Sequence, residues 1–237
     1  MQRYFAKNII DKKVELDSGD YHHIKNVMRC RNNDNIEVVF NNKLYIATIL
    51  DIENFNIEIT EEKDDNNELP IELIVAVGLV KEQKMDLILQ KLTELGVNRI
   101  IPIKFSRSIV NLDDKKIDKK IVRWTSICKE ASEQAKRNVI PIIDRPITVK
   151  ELTKIEADKK LVASVREDKN FISNYLQNNQ KGVKILVVIG PEGGIADKEE
   201  DILIVNGFDS VSLGKSVLRV ETAAIYVASV INYSCGV

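Results

Sequence analysis

The sequence predicts an α/β protein, with a small β-rich domain in front of a larger domain built on a mainly parallel sheet. Three observations carry this. The first 60 residues or so hold short runs of β-forming residues. Residues 61–70, EEKDDNNELP, make a charged, Asn-rich break closed by Pro70. Beyond it, apolar runs alternate with amphipathic segments of helical period. The expected domains are therefore 1–69 and 70–237.

In the first part, strands are expected at 13–16, 36–40, 43–50 and 55–59, with Asn41-Asn42 as a hairpin turn. A helical stretch at 21–28 interrupts them. Several short strands in so few residues predict a small barrel, because closure removes exposed edges. In the second part, apolar runs lie at 71–77, 99–103, 140–143, 160–165, 183–189 and 210–213. Between the first two, Met85, Ile88, Leu89, Leu92 and Leu95 repeat at helical spacing and Gly96 follows as a stop. In 117–138, Ile121, Trp124, Cys128, Ala131 and Ala135 form an apolar stripe. Strands alternating with helices imply a sheet covered on both faces. The last segment, 222–233, is apolar around nearly its whole circumference, so it needs cover on more than one side. Interior packing and a subunit interface both meet that need.

Composition narrows the function classes. No apolar run reaches the roughly 18 residues of a membrane span, and the N-terminus lacks the apolar core of a signal peptide. A cytoplasmic location with no membrane contact is the expectation. The 3 cysteines are scattered and the 2 histidines adjacent, which fits neither a disulfide framework nor a metal site. Net charge is −1, but residues 61–70 carry five acids and one lysine, while 71–237 carry 26 bases and 22 acids. Positions 1–31 hold 7 bases against 4 acids. Modest basic surface is expected in both parts.

The most informative run is VKILVVIGPEGG (183–194): a buried strand ending in a glycine turn before a helix. In open α/β sheets ligands bind beyond the carboxyl ends of strands, and glycines admit a ligand close to the backbone. A second glycine loop, in SLGKSVLRVET (212–222), follows the next strand. Two such loops can wall one pocket. Glu221 and Thr222 suit the start of the last helix, whereas Arg219 has no such local role. Glu130, Gln134 and Arg137 recur at i, i+4 and i+7, either as a functional face or as a solvated one. Arg107, Arg3, Lys25, Arg29 and Arg31 suit phosphate contacts, and each is also ordinary surface. Neither GxGxxG nor GxxxxGK[ST] occurs, which argues against a nicotinamide enzyme and a P-loop.

Together these segments resemble the SPOUT-superfamily enzymes that methylate N3 of a uridine, of the uridine 1498 type, in 16S ribosomal RNA. The likeness runs through RYF (3–5), HHIKNVMR (22–29), KMDLILQKLTELGVNRIIP (84–102), Glu130-Ala131, Glu133-Gln134, Arg137, Pro141, IGPEGG (189–194) and LGKSVLRVETA (213–223). It implies a PUA-like barrel, an α/β domain with a deep trefoil knot, and a homodimer with active sites at the interface. S-adenosylmethionine would be held by Ser164, Val165, Ile189, Gly190, Pro191, Glu192, Gly193, Leu213, Gly214, Val217 and Leu218. N3 of uracil must lose a proton, so Arg219 is expected to stabilise the anionic ring and Glu130 or Glu192 to accept the proton. Arg3, Lys25, Arg29, Arg31, Arg107, Gln134 and Arg137 would contact RNA, either free 16S ribosomal RNA or the assembled small subunit. This chain departs from the family pattern at Glu82 and Lys136, where glycine is usual, at Ser106, where Glu is common, and at the Asn32-Asn33-Asp34 turn. Two rival readings are ribose 2′-O-methylation and a non-catalytic RNA-binding assembly factor.

Overall fold

A computed structural model describes residues 1–110, 114–176 and 181–235. The chain divides into two units, Met1–Glu68 with Ser132–Val139, and Leu69–Ala131 with Ile140–Val237.

The first unit is a six-stranded sheet of β1 (Arg3–Phe5), β2 (Asn8–Ile10), β3 (Lys13–Glu15), β4 (Asn35–Phe40), β5 (Lys43–Asp51) and β6 (Asn56–Lys63). Its order is β1-β4-β5-β6-β3-β2, so the two end strands are consecutive in the chain and joined by Ala6 and Lys7 alone. Asn41 and Asn42 both have positive φ (51° and 63°), the pair of left-handed residues that a tight hairpin demands. Ile36 and Val38 on β4 point into a core with Tyr4, Leu16, Ile24, Ala47 and Ile49. Helix α1 (Ser18–His22) runs directly into a π turn, His23–Val27. The helix thus starts earlier than its apolar residues announce. The two three-residue strands β1 and β2 are too short for any period-2 signal, and sequence reading missed them.

The acidic run at 61–70 is not a free linker. Glu61, Glu62 and Lys63 finish β6, paired with β5. Beyond them, Asp65, Asn67 and Glu68 fasten to the segment after the long helix α3 (Asp114–Gln134). The Glu68 carboxylate accepts Arg137 Nη2 at 2.5 Å and the backbone N–H groups of Asn138 and Val139 at 2.9 and 3.1 Å. Arg3 donates to Glu37 at 2.8 Å, to Asn138 at 2.7 Å and to the Lys136 carbonyl. Lys136 has φ +59°, a left-handed residue after the helix end. This supplies a physical reason for the glycine usual at that position.

The second unit is built on β7 (Glu72–Gly78), β8 (Arg99–Lys104), β9 (Ile142–Ile143), β10 (Ile147–Thr148), β11 (Lys159–Ala163), β12 (Lys184–Ile189) and β13 (Asp209–Val211). Every pairing is parallel, in the order β10-β8-β7-β12-β11-β13, with β9 beside β8. The central strands read as unbroken apolar runs because both their faces are covered. Leu73, Val75 and Val77 of β7, with Ile185, Val187 and Ile189 of β12, share one core with α2 (Glu82–Glu94), α3 and α6 (Val220–Ser234). Ile74, Ala76, Leu186 and Val188 face a second core with α4 (Val149–Leu152) and α5 (Asp197–Val205). Each fully buried Leu, Ile or Val stabilises the fold by about 1.5–3 kcal/mol, which fixes the strand register. Within this frame the turns after β11, β12 and β13 lie at the carboxyl end of the sheet. No helix among the described residues is long and apolar enough to cross a membrane.

Candidate functional site

One cavity of about 290 Å³ opens among those three turns. Ser164 and Val165 line it from the turn after β11, Ile189, Gly190, Pro191 and Gly193 from the turn after β12, and Leu213, Gly214, Val217 and Leu218 from the turn after β13. Ten residues widely separated in sequence thus face one space. Its size stands at the lower end of the roughly 300–1,000 Å³ found for small-molecule sites.

Two close approaches hold the turn after β12 in place. A Cβ on Gly78, at the end of β7, would meet Pro191 N at 2.5 Å, and one on Gly193 would meet the Arg107 carbonyl oxygen at 2.9 Å. Neither distance is tolerable for backbone neighbours, so glycine permits the packing at both positions. Gly78 carries no motif, and sequence reading passed over it.

The remaining candidates separate into three groups. Arg107 lines the cavity, and its guanidinium donates to the Ile195 carbonyl at 3.4 Å. It therefore faces the small-molecule space rather than standing as plain surface. Glu192 lies between two lining residues but is not part of the lining itself. Its carboxylate pairs with Lys84 Nζ at 3.1 Å, and Lys84 also lies 3.6 Å from Glu221. The hydrogen bond to Glu192, more than any other contact, raises the Lys84 pKa. Arg219 is exposed immediately before α6, between the lining residues Leu218 and Val220, and makes no ion pair among the described residues.

Glu130 and Gln134 are exposed on α3 and do not line the cavity. Arg137 is not on their helix face, because α3 ends at Gln134 and Lys136 turns the chain. Two expectations need correction here. Arg137 and Arg3 are each about 2% exposed and committed to internal carboxylates, so neither is available to a phosphate. The i, i+7 spacing and the N-terminal position gave no sign of the acids that would bury them. Lys25 is paired with Glu53 at 2.6 Å, whereas Arg29 and Arg31 are exposed.

Sequence reading missed five charged lining residues, Arg166, Glu167, Asp197, Glu200 and Lys215. Arg166 faces Asp197 and Glu200 at 3.4 and 3.6 Å. Asp197 reads in the sequence only as a helix-start residue, and Val165-Arg166-Glu167 has the look of a solvated loop. Ser106 gives its amide and hydroxyl to Glu199, at 2.8 and 2.9 Å, which accounts for a small polar residue there.

A family model for an RNA methyltransferase domain matches residues 67–232, and one for an RNA methyltransferase PUA domain matches residues 16–62. The chain belongs to the RNA methyltransferase family. The family's N-terminal PUA-like domain and its α/β domain with a parallel sheet are both present. Ribosomal RNA small subunit methyltransferase E of Bacillus subtilis is 35% identical, over 98% of this chain and 96% of its own length. The protein of the same name from Mesomycoplasma hyopneumoniae is 34% identical, over 96% of this chain and 97% of its own length. Among solved structures, ribosomal RNA small subunit methyltransferase E from Neisseria gonorrhoeae, bound to S-adenosyl methionine, superposes with TM-score 0.88 at 30% identity, covering 98% of this chain and 97% of that one.

Proposed function

We propose that the protein transfers a methyl group from S-adenosylmethionine to N3 of a uridine, of the uridine 1498 type, in 16S ribosomal RNA. The observation that carries this reading is the convergence of two glycine loops, after β12 and β13, on one cavity in a chain of the RNA methyltransferase family. The residues fit such a donor. Glycine backbone and the apolar Val165, Ile189, Val217 and Leu218 suit a nucleoside, and Glu167, Asp197 and Glu200 suit its cationic groups. When bound, the donor supplies an electrophilic methyl on a sulfonium.

The chain's own part is to position and to handle charge. Uracil N3 is protonated at neutral pH, and its anion is the better nucleophile. Arg219 supplies a cation for that anion at the cavity's rim. Glu192, flanked on both sides by lining residues, is the proton acceptor this reading prefers. Glu130 lies on α3 away from the cavity lining. A base must leave its stack to be reached, and exposed Arg29 and Arg31 of the PUA-like unit would hold the phosphates meanwhile.

Three further parts belong to the proposal. The sheet of the first unit closes as a barrel, since its end strands β1 and β2 are joined by two residues. The turns after β12 and β13 form a trefoil knot, as the superfamily resemblance implies. The active form is a homodimer in which the exposed Tyr226 and Tyr233 of α6 meet a second copy. Mass spectrometry of nucleosides tests the reading, after incubating the protein with S-adenosylmethionine and small-subunit ribosomal RNA. N3-methyluridine is the expected product. A methyl group on the ribose, or no methyl at all, contradicts it.

A further inference from the structure

Lys84 lies outside both glycine loops and outside the cavity lining, yet it reaches the middle of the first loop and the helix that follows the second. It projects from the first turn of α2. Its ammonium lies 3.1 Å from Glu192, in the middle of the turn after β12, and 3.6 Å from Glu221, in the first turn of α6. Glu221 Oε2 is buried and has no hydrogen-bond partner among the described residues. Its side chain is 15% exposed, and the Lys84 ammonium is the one cation beside it among the described residues. A buried carboxylate without a compensating charge is strongly disfavoured, so the position of Glu221 depends on Lys84. Glu192 would otherwise be repelled by Glu221, since both carboxylates approach the same point.

We propose that Lys84 is a positioning residue that ties the turn after β12 to the start of α6 and so sets the spacing of the two loops around the methyl donor. Glu192 is next to the lining residues Pro191 and Gly193, and Glu221 follows the lining residue Val220, with Arg219 just before that. One ammonium thereby fixes both walls of the cavity and the residue proposed to stabilise the uracil anion. This inference rests on the proposed function for the identity of the donor.

The test is calorimetric titration of the full chain with S-adenosylmethionine, paired with thermal melting, for wild type, Lys84→Arg, Lys84→Met and Lys84→Met/Glu221→Gln. The expected results are affinity within about threefold of wild type for Lys84→Arg, because a second cation can still bridge two carboxylates. Lys84→Met is expected to weaken binding by about tenfold or more, the effect of a loop displaced by a fraction of an ångström. In the double variant the buried charge is gone, so melting returns towards wild type while binding stays weak. Recovery of both stability and affinity in the double variant overturns the assignment, because Lys84 would then serve only to neutralise Glu221. Unchanged affinity in Lys84→Met overturns it as well. If Lys84→Met fails to fold, the double variant decides. A wild-type protein that binds no S-adenosylmethionine instead overturns the proposed function, and this assignment with it.

Discussion

Arg219 is exposed at the entry to α6, with no carboxylate holding it among the described residues and a cavity residue on either side in the chain. Substitution Arg219→Ala is therefore expected to lower the rate of methyl transfer by about 100-fold, the scale of removing one charge-stabilising group. Affinity for S-adenosylmethionine should stay near wild type, read by calorimetry beside single-turnover kinetics. Equal turnover in the two proteins removes Arg219 from the mechanism. Arg137 has the opposite prospect. It is buried against Glu68, and Arg137→Ala should destabilise the protein by about 3–5 kcal/mol in chemical denaturation, the cost of stranding a buried charge. A loss of RNA affinity without that loss of stability would return Arg137 to the RNA-binding set. The sequence offers the same residue type in both places. What separates them is Glu68, some seventy residues from Arg137 in the chain, and no local pattern announces a partner that distant. Gly78 is hidden for a related reason, since its role appears only where Pro191 packs on it.

Elements were legible where they obey a period. The strand–helix alternation beyond Pro70, the core-facing residues of α2 and the hairpin at Asn41-Asn42 follow from spacing and turn chemistry alone. The segments that defeat this reading owe their structure to partners. The stretch 65–68 is polar and looks unstructured, yet it is stitched to Asn138 and Val139 by the hydrogen bonds of Glu68 and Asp65. Glu37, on β4, belongs to the same network. Burial raises its pKa, but hydrogen bonds from Arg3 and Lys136 outweigh that effect and leave it below the usual carboxylate value. A carboxylate depressed in the folded state stabilises above its unfolded pKa and loses that contribution as pH falls through its folded value. Glu37→Gln should thus cost stability at pH 7 and show a smaller loss between neutral and acidic pH than wild type. An identical acid profile for both proteins contradicts this. Arg29 and Arg31 are exposed beyond the π turn and are the residues proposed to meet phosphates. Replacing both with Ala should weaken RNA binding across sequences and reduce the slope of log affinity against log salt by about 2, one per lost contact. An unchanged slope places the RNA elsewhere.

At the scale of the whole molecule, the parallel sheet explains why the cavity-lining turns gather at one end of the strands. All strands of the second unit run the same way, so the turns after β11, β12 and β13 emerge together, and glycine-bearing turns emerge where a ligand can lie against backbone. This much could be read from VVIGPEGG and SLGKSVLR, because a buried strand followed by glycines is a local signal. The order of the strands, with β12 between β7 and β11, is set by long-range pairing and has no local signature. The charged wall of Arg166, Asp197 and Glu200 was hidden for the same reason. The claim beneath all of this is that the turns 190–194 and 214–218 enclose one methyl donor. A crystal structure of the protein with S-adenosylmethionine tests it most directly. The account predicts the donor in contact with both turns, its methyl group open towards Arg219. A donor bound elsewhere, or one touching only a single turn, would contradict it.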